Sequence, residues 1–118
     1  MLTFSNDQIN NLVKQKRESV VQAISDRMAD EFDVKAADRP ALLEVIRPIA
    51  NTAWGWGIES GNLVRLHVYL SKMLGIDYYT VMPALGQVLQ DTQLSDDSKL
   101  TYLSNWLDAF KARTDAKN

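Results

Sequence analysis

The stretch Trp54-Gly55-Trp56-Gly57-Ile58-Glu59-Ser60-Gly61 (WGWGIESG, residues 54–61) decides how the fold of this chain is interpreted. It alternates the largest side chains with the smallest, directly after a run of apolar residues at helical spacing. Glycine adopts positive φ at little steric cost, so Gly55 and Gly57 predict a helix end and a sharp turn. Ser60 is a typical helix N-cap and predicts a new helix directly after the turn. The stretch therefore predicts a tight corner between two helices.

The helix that enters this corner is unusually apolar. We expect it to begin near Asp38, with Arg39-Pro40 in the first turn, where proline is tolerated. Its many apolar residues are typical of a central element rather than of a surface helix. Pro48 lies inside it, and an interior proline removes one backbone hydrogen bond at a cost of roughly 3 kcal/mol. We therefore expect a kink near Glu44 to Pro48, or two shorter helices.

An earlier helix is predicted from capping signals at the start of the chain. Ser5 and Gln8 have the spacing of a capping box, and Phe4 and Ile9 have the spacing of a hydrophobic staple. Apolar residues then recur at helical intervals and predict one apolar stripe. These residues are Ile9, Leu12, Val13, Val20, Ile24, Met28 and Phe32.

A basic run at residues 14–17 interrupts this stripe. Lys16 or Arg17 must lie near the apolar line. Such a side chain either lays its stem on the core and keeps its charge in water, or offers a basic contact to an acidic partner.

Three further helices are predicted downstream of the corner. One runs from Ser60 to Leu74 and is closed by Gly75. A shorter helix follows from about Met82, and Ser95 caps the last one. No segment alternates like a strand. The sequence thus predicts an all-α fold, a compact bundle of about five helices in a single domain over residues 1–118, with a frayed tail at residues 113–118.

Composition narrows the function classes. The net charge of −2 argues against non-specific nucleic-acid binding, which needs clustered Lys and Arg. The chain contains no cysteine, so it has no disulfide, no thiolate metal site and no cysteine nucleophile. No apolar run approaches the ~20 residues of a membrane span, and no signal peptide is apparent. We expect a cytoplasmic protein that binds neither nucleic acid nor membrane.

Candidates for catalysis are few. His67 is the single histidine and lies among leucines, which favours a hydrogen-bonded core residue over a general base. The acidic groups Asp30-Glu31-Asp33 and Asp96-Asp97 are typical of a solvated helix end and of a favourable helix-dipole contact, respectively. The glycines do not match a phosphate-binding loop. We therefore expect no enzymatic activity, no catalytic residue, no cofactor and no metal.

The corner is instead a candidate for protein binding. Trp54 continues the apolar face, which favours a core position, whereas Trp56 is open to either a core or an interface role. Tryptophan is the residue most enriched at binding hot spots, and two tyrosines follow on a connector. The predicted partner-binding residues are Trp54, Trp56, Ile58, Tyr78 and Tyr79.

Three motifs carry a resemblance to a known group of proteins. They are Trp56-Gly57-Ile58-Glu59-Ser60, Leu74-Gly75-Ile76-Asp77-Tyr78, and Leu94-Ser95 followed by Lys99-Leu100. Together, over roughly residues 45 to 105, they resemble small all-helical bacterial proteins encoded beside VgrG, PAAR and effector genes of type VI secretion systems. The sequence departs from that pattern at Tyr79-Thr80 and at Pro83-Ala84. The resemblance implies an accessory role as a partner of an effector or of its loading adaptor, and it implies no catalytic residue.

These observations leave three hypotheses. The first is a non-enzymatic chaperone, co-chaperone or adaptor for a type VI secretion effector. The second is an immunity protein that binds and neutralises a cognate effector; the slight excess of acidic over basic residues, 15 against 13, is a weak signature for it. The third is a structural homodimer formed through the same apolar surface.

Overall fold

The computed structural model describes residues 6–116, and this part of the chain is all-α, as predicted. Its regular structure consists of six α-helices and a 3₁₀ turn at Ala36–Asp38, with no strand among the described residues. The helices are α1 (Asn6–Glu31), α2 (Arg39–Gly55), α3 (Gly61–Leu74), α4 (Tyr78–Val81), α5 (Pro83–Gln90) and α6 (Asp96–Ala116). The predicted capping box and hydrophobic staple of α1 involve Ser5 and Phe4, which lie outside the described residues.

The chain divides into two units, Met1–Arg47 and Pro48–Asn118, with the boundary inside α2. α2 itself is continuous through Pro48, so the alternative of two shorter helices is wrong. One lost backbone hydrogen bond does not end the helix, because Ile46 and Ile49 on either side of the proline are buried and favour its continuation. The kink and the single domain remain predictions.

In the first unit, the two halves of α1 differ in exposure. The second half carries buried side chains at Val21, Ile24, Met28 and Ala29. Residues 6–16 are exposed throughout. The apolar stripe predicted from Ile9 to Phe32 is therefore only partly a core face, since helical spacing marks a surface suited to burial and does not say what covers it.

Arginine side chains of α2 hold the end and middle of α1. The Arg39 side chain donates to the carboxylate of Asp30 at 3.1 Å and to the carbonyl oxygen of Val34 at 3.3 Å. Arg47 donates to both carboxylate oxygens of Glu18, at 2.6 and 3.2 Å. These hydrogen bonds from Arg47 hold the pKa of Glu18 below its usual range. The bidentate geometry fixes orientation more than it adds stability, because both groups are partly in water.

In the second unit, α3 packs against α6 and α4, while α5 packs against α4 and α6. The core of this unit includes buried leucines on α3, α5 and α6, among them Leu63, Leu70, Leu85, Leu89 and Leu103. α6 continues to Ala116, through most of the segment predicted as a frayed tail. Residues 117–118 lie outside the described part.

Candidate functional site

The corner quoted above is built as a hydrogen-bonded helix end. The N–H of Gly57 donates to the carbonyl of Trp54 at 3.0 Å, and the N–H of Ile58 donates to the carbonyl of Ala53 at 3.3 Å. Gly57 has a φ of 83°, the conformation that lets these two bonds form together. Gly55, by contrast, is the last helical residue and does not have positive φ. The turn that sequence reasoning assigned to both glycines is therefore made by Gly57.

This helix end directs successive side chains to different environments. Ile58 is fully buried, whereas Trp54 and Trp56 are half-buried. The hydrophobic residue after the left-handed glycine commonly packs back on the helix that it closes, and Ile58 occupies that position. Ile58 is thus a core residue, and its full burial argues against the predicted partner contact.

Four aromatic side chains meet at the corner: Trp56, His67, Tyr78 and Tyr79, hereafter the ring cluster. The Trp56 ring lies edge-on to Tyr79, with centroids 4.8 Å apart and planes at 81°. It also lies edge-on to His67, at 5.2 Å and 66°. Tyr78 and Tyr79 make a further edge-on contact at 5.6 Å. Edge-to-face pairs of this kind each contribute about 0.5–1.5 kcal/mol beyond the area they bury, so the contacts favour this arrangement of the four rings.

The inner half of the ring cluster is a buried hydrogen bond. Nδ1 of His67 lies 2.8 Å from the hydroxyl oxygen of Tyr78, and both residues are buried. Burial lowers the pKa of His67 from 6.5 to about 4, against the opposing effect of a backbone hydrogen bond with Ile49. Burial likewise raises the pKa of the Tyr78 hydroxyl, with Tyr79 adding to the rise. At neutral pH the pair is therefore uncharged on both sides.

This geometry confirms the prediction of a hydrogen-bonded core histidine. With 1% of His67 exposed, a substrate has no room against the imidazole in this conformation. Tyr78 is fully buried as well, so the prediction that it contacts a partner gives way to a structural role. The connector holding Tyr78 and Tyr79 places one ring inward and leaves the other half-buried, because the two residues are consecutive on the short helix α4.

Of the five predicted site residues, three keep surface at the corner: Trp54, Trp56 and Tyr79. Trp56 and Tyr79 are the two that the structure brings into direct ring contact. They form the outer half of the ring cluster and are the side chains that a partner could reach.

An open groove of ≈ 580 Å³ adjoins Tyr79, and sequence reasoning missed it. Its lining consists of Tyr79, Thr80, Pro83, Gly86, Gln87 and Gln90. The side chains of Gln87 and Gln90 supply amide donors and acceptors next to the ring of Tyr79. Gly86 is required at the base of this groove, because a Cβ there would overlap with the carbonyl oxygen of Tyr79. A glycine inside a short helix was the available signal for this close approach.

Polar caps hold the helices around the ring cluster. The Ser60 hydroxyl accepts from the N–H of Leu63 at 3.3 Å, as expected for an N-cap. The carboxylate of Asp96, at the start of α6, accepts from the N–H groups of Glu59 and Ser60, both at 2.9 Å. These two hydrogen bonds, which span 37 and 36 residues of the sequence, tie the first turn of α6 to the connector that follows the corner. Helix-cap spacing within one segment could not predict them.

A buried lysine makes a second tie of this kind. Lys99 is 2% exposed, and its ammonium donates to the carbonyl of Leu89 at 2.9 Å, near the C-terminal end of α5. A cation at that position satisfies a free carbonyl and complements the helix dipole. Lys99 therefore has a structural role within the motif that begins at Leu94-Ser95.

The acidic residues do not converge. Asp30 pairs with Arg39 and Glu31 pairs with Arg27, while Asp33 takes a φ of 52° at the end of α1. Within residues 6–116, no group of three or more His, Asp or Glu side chains could hold a metal ion. None of the described helices is both long enough and apolar enough to cross a membrane.

Comparison with known proteins adds no family to these observations. No protein-family model, no curated protein and no solved structure matches the chain.

Proposed function

We propose that the chain is a non-enzymatic, cytoplasmic accessory protein that binds another protein, as a chaperone or adaptor for a type VI secretion effector. The observation that carries the binding role is the half-buried ring pair of Trp56 and Tyr79. The link to secretion is supported by the resemblance of the three motifs described above.

The ring pair has the properties of a preorganised anchor. Gly57 sets the position of Trp56. The rings of His67 and Tyr78, which are joined by a buried hydrogen bond, lie against Trp56 and Tyr79 on the interior side. Binding costs less when the contact residues are already ordered, because fewer rotamers are lost. Tryptophan and tyrosine combine a large apolar area with a polar tip, and both are enriched at hot spots.

The adjoining groove indicates what kind of segment the ring pair would hold. Its lining mixes an aromatic ring and a proline with the two glutamines of α5. An amphipathic helix of a client could place apolar side chains on Trp56 and Tyr79 and polar ones along Gln87 and Gln90. Shielding such a segment is the task of a chaperone for a client that is not yet assembled.

Co-expression with the products of neighbouring genes tests this function. We expect the chain to bind the N-terminal or transmembrane-like segment of an effector and to raise the soluble yield of that effector. The same experiment with an effector's isolated toxic domain serves as the comparison. Binding to that domain with loss of its toxicity would mark an immunity protein instead. A tight homodimer with no affinity for any neighbouring product would contradict both secretion roles.

A further inference from the structure

The groove beside the ring pair contains hydrogen-bonding side chains that have no partner within the described part of the chain. The groove is formed by α4 and α5, and Tyr79 belongs both to its lining and to the ring pair. No hydrogen bond joins the hydroxyl of Thr80, or the amides of Gln87 and Gln90, to another described residue. These groups are therefore available to a ligand that lies in the groove.

A backbone carbonyl at the base of the groove also lacks its usual donor. In a continuing helix, the carbonyl of Tyr79 would accept from the N–H of the residue four positions later. That residue is Pro83, which has no N–H. No other backbone N–H of the described residues donates to this carbonyl. Gly86 packs directly against it, because a Cβ on Gly86 would overlap with the carbonyl oxygen.

An amide donor lies next to this acceptor. Nε2 of Gln90 lies 3.6 Å from the point where a Cβ on Gly86 would stand, and the carbonyl oxygen of Tyr79 lies against the same point. An acceptor from α4 and a donor from α5 thus flank one point at the base of the groove. A single group that carries both a donor and an acceptor can pair with the two of them.

The groove has no charged side chain. None of its six lining residues is Asp, Glu, Lys, Arg or His. The acids nearest to it in sequence, Asp77 and Asp91, do not line it, and the carboxylate of Asp91 accepts from the N–H of Gln93 at 2.9 Å. A charged group placed in the groove would lose part of its hydration without gaining a counter-ion, which is unfavourable.

We propose that the groove selects client segments that carry a carboxamide side chain, Asn or Gln, beside the apolar stripe that covers the ring pair. The carboxamide NH₂ donates to the carbonyl of Tyr79, and the carboxamide oxygen accepts from Nε2 of Gln90. A carboxylate has no donor for the carbonyl, and an ammonium has no acceptor for the amide. The inference rests on the proposed function, in which a client segment lies on the ring pair, and it names the polar residue type that the segment carries.

One amphipathic segment reaches both surfaces. Tyr79 contributes its ring to the ring pair and its carbonyl to the base of the groove, so the two surfaces are continuous. On a helix, the residues that flank an apolar stripe lie within one turn of it. A client helix anchored on the ring pair therefore brings a flanking polar side chain to the groove.

Binding of three labelled peptides to the full chain tests this selection. The peptides share one leucine stripe and one neutral polar tail, and the stripe is flanked by glutamine, by glutamate or by lysine. Glutamine and glutamate have nearly the same shape, so their comparison isolates the charge and the donor. Fluorescence anisotropy measures the Kd of each peptide at low and high salt.

We expect the glutamine peptide to bind at least about tenfold more tightly than either charged peptide. Its Kd should change by less than about twofold between low and high salt, because the groove contributes no charge. The net charge of −2 on the chain attracts the lysine peptide and repels the glutamate peptide at low salt. A preference for glutamine that persists at high salt is therefore not an effect of net charge.

Two variants and a matched control assign the selection to the groove. Gln87→Glu and Gln90→Glu should each move the preference to the lysine peptide, because the groove then contains a carboxylate. Gln93→Glu adds the same charge at an exposed glutamine outside the lining and should leave the glutamine peptide preferred. All three positions are exposed, so circular dichroism should show folded variants.

The outcomes separate this inference from the proposed function. Equal Kd values for the three peptides, all weakened by Trp56→Ala, would overturn the selection and leave the ring pair as an anchor. A preference for a charged peptide, or a glutamine preference that neither groove variant alters, would also overturn the selection. Binding of no peptide would overturn it as well, whereas the proposed function fails only if the co-expressed products of neighbouring genes do not bind either.

Discussion

Acid should destabilise this protein through the single histidine, His67. Its pKa is about 4 in the folded chain and 6.5 when the ring is in water. Between these values the unfolded chain binds the additional proton and the folded chain does not, so unfolding is favoured as the pH falls. The stability associated with a neutral, buried His67 is therefore complete above the unfolded pKa and is lost as the pH drops towards the folded one. From about pH 7.5 to about pH 5, this linkage predicts a loss of about 2 kcal/mol.

Replacing the histidine separates this effect from other titrations. His67→Gln keeps an amide that can hydrogen-bond to the Tyr78 hydroxyl but does not titrate. The variant itself should be less stable, because the cavity and the hydrogen bond are imperfectly replaced. The original chain and the variant contain the same carboxylates. A difference between them in how the free energy of unfolding changes with pH is therefore due to His67.

Urea unfolding followed by far-UV circular dichroism at several pH values measures the effect. The free energy of unfolding of the original chain should fall by about 2 kcal/mol more than that of the variant over this range. Because the chain has one histidine, NMR can follow its imidazole directly in the folded state. Two results would refute the assignment of His67 as a buried neutral ring. One is a free energy of unfolding that changes with pH equally in the original chain and the variant, and the other is an imidazole that titrates near 6.5 in the native chain.

Two further predictions concern glycines. Gly57→Ala should destabilise the chain by about 1–2 kcal/mol because φ is positive at this position. Gly55→Ala should instead stabilise the chain by about 0.4–1 kcal/mol, since a Cβ at this helical position meets nothing within 4 Å. Thermal unfolding of the two variants checks both signs, and equal effects would contradict the helix end described here. Gly86→Ala should lower the free energy of unfolding by about 1–3 kcal/mol, because the added Cβ must displace the carbonyl of Tyr79. An unchanged melting temperature would show that α4 and α5 do not approach so closely.

Local features of this fold were predictable from neighbouring residues. Ser60 and Gly57 act within four or five residues of their own position, and their cap roles follow from residue type and spacing. Burial of His67 followed from the leucines around it on α3. In each case the chemistry and the pattern lie in the same short segment.

Features that join distant segments were not predictable in this way. The carboxylate of Asp96 reaches N–H groups 36 and 37 residues earlier in the chain. The Tyr78 hydroxyl finds the His67 ring only because α3 and α4 pack together. The same limit applies to Ile58, whose apolar side chain suited either a core or an interface until the turn placed it inside.

The exposed half of α1 shows the limit most plainly. Ile9 and Ile24 belong to one periodic stripe, yet Ile24 is buried and Ile9 is 46% exposed. Periodicity reports that a face is suited to packing. Whether the same chain or a partner covers that face depends on contacts that the sequence of one helix does not contain.

We propose that Trp56 at the corner contacts a protein partner, and one binding measurement tests this contact directly. The chain provides a matched control in Trp106, a half-buried tryptophan outside the ring cluster, which stacks on Phe110 at 5.2 Å. Isothermal titration of the effector or adaptor from a neighbouring gene should give a Kd about thirtyfold weaker for Trp56→Ala, a hot-spot loss of about 2 kcal/mol. For folded Trp106→Ala, the Kd should stay within about threefold of the original value. Equal affinities for the original chain and a folded Trp56→Ala variant would contradict the claim.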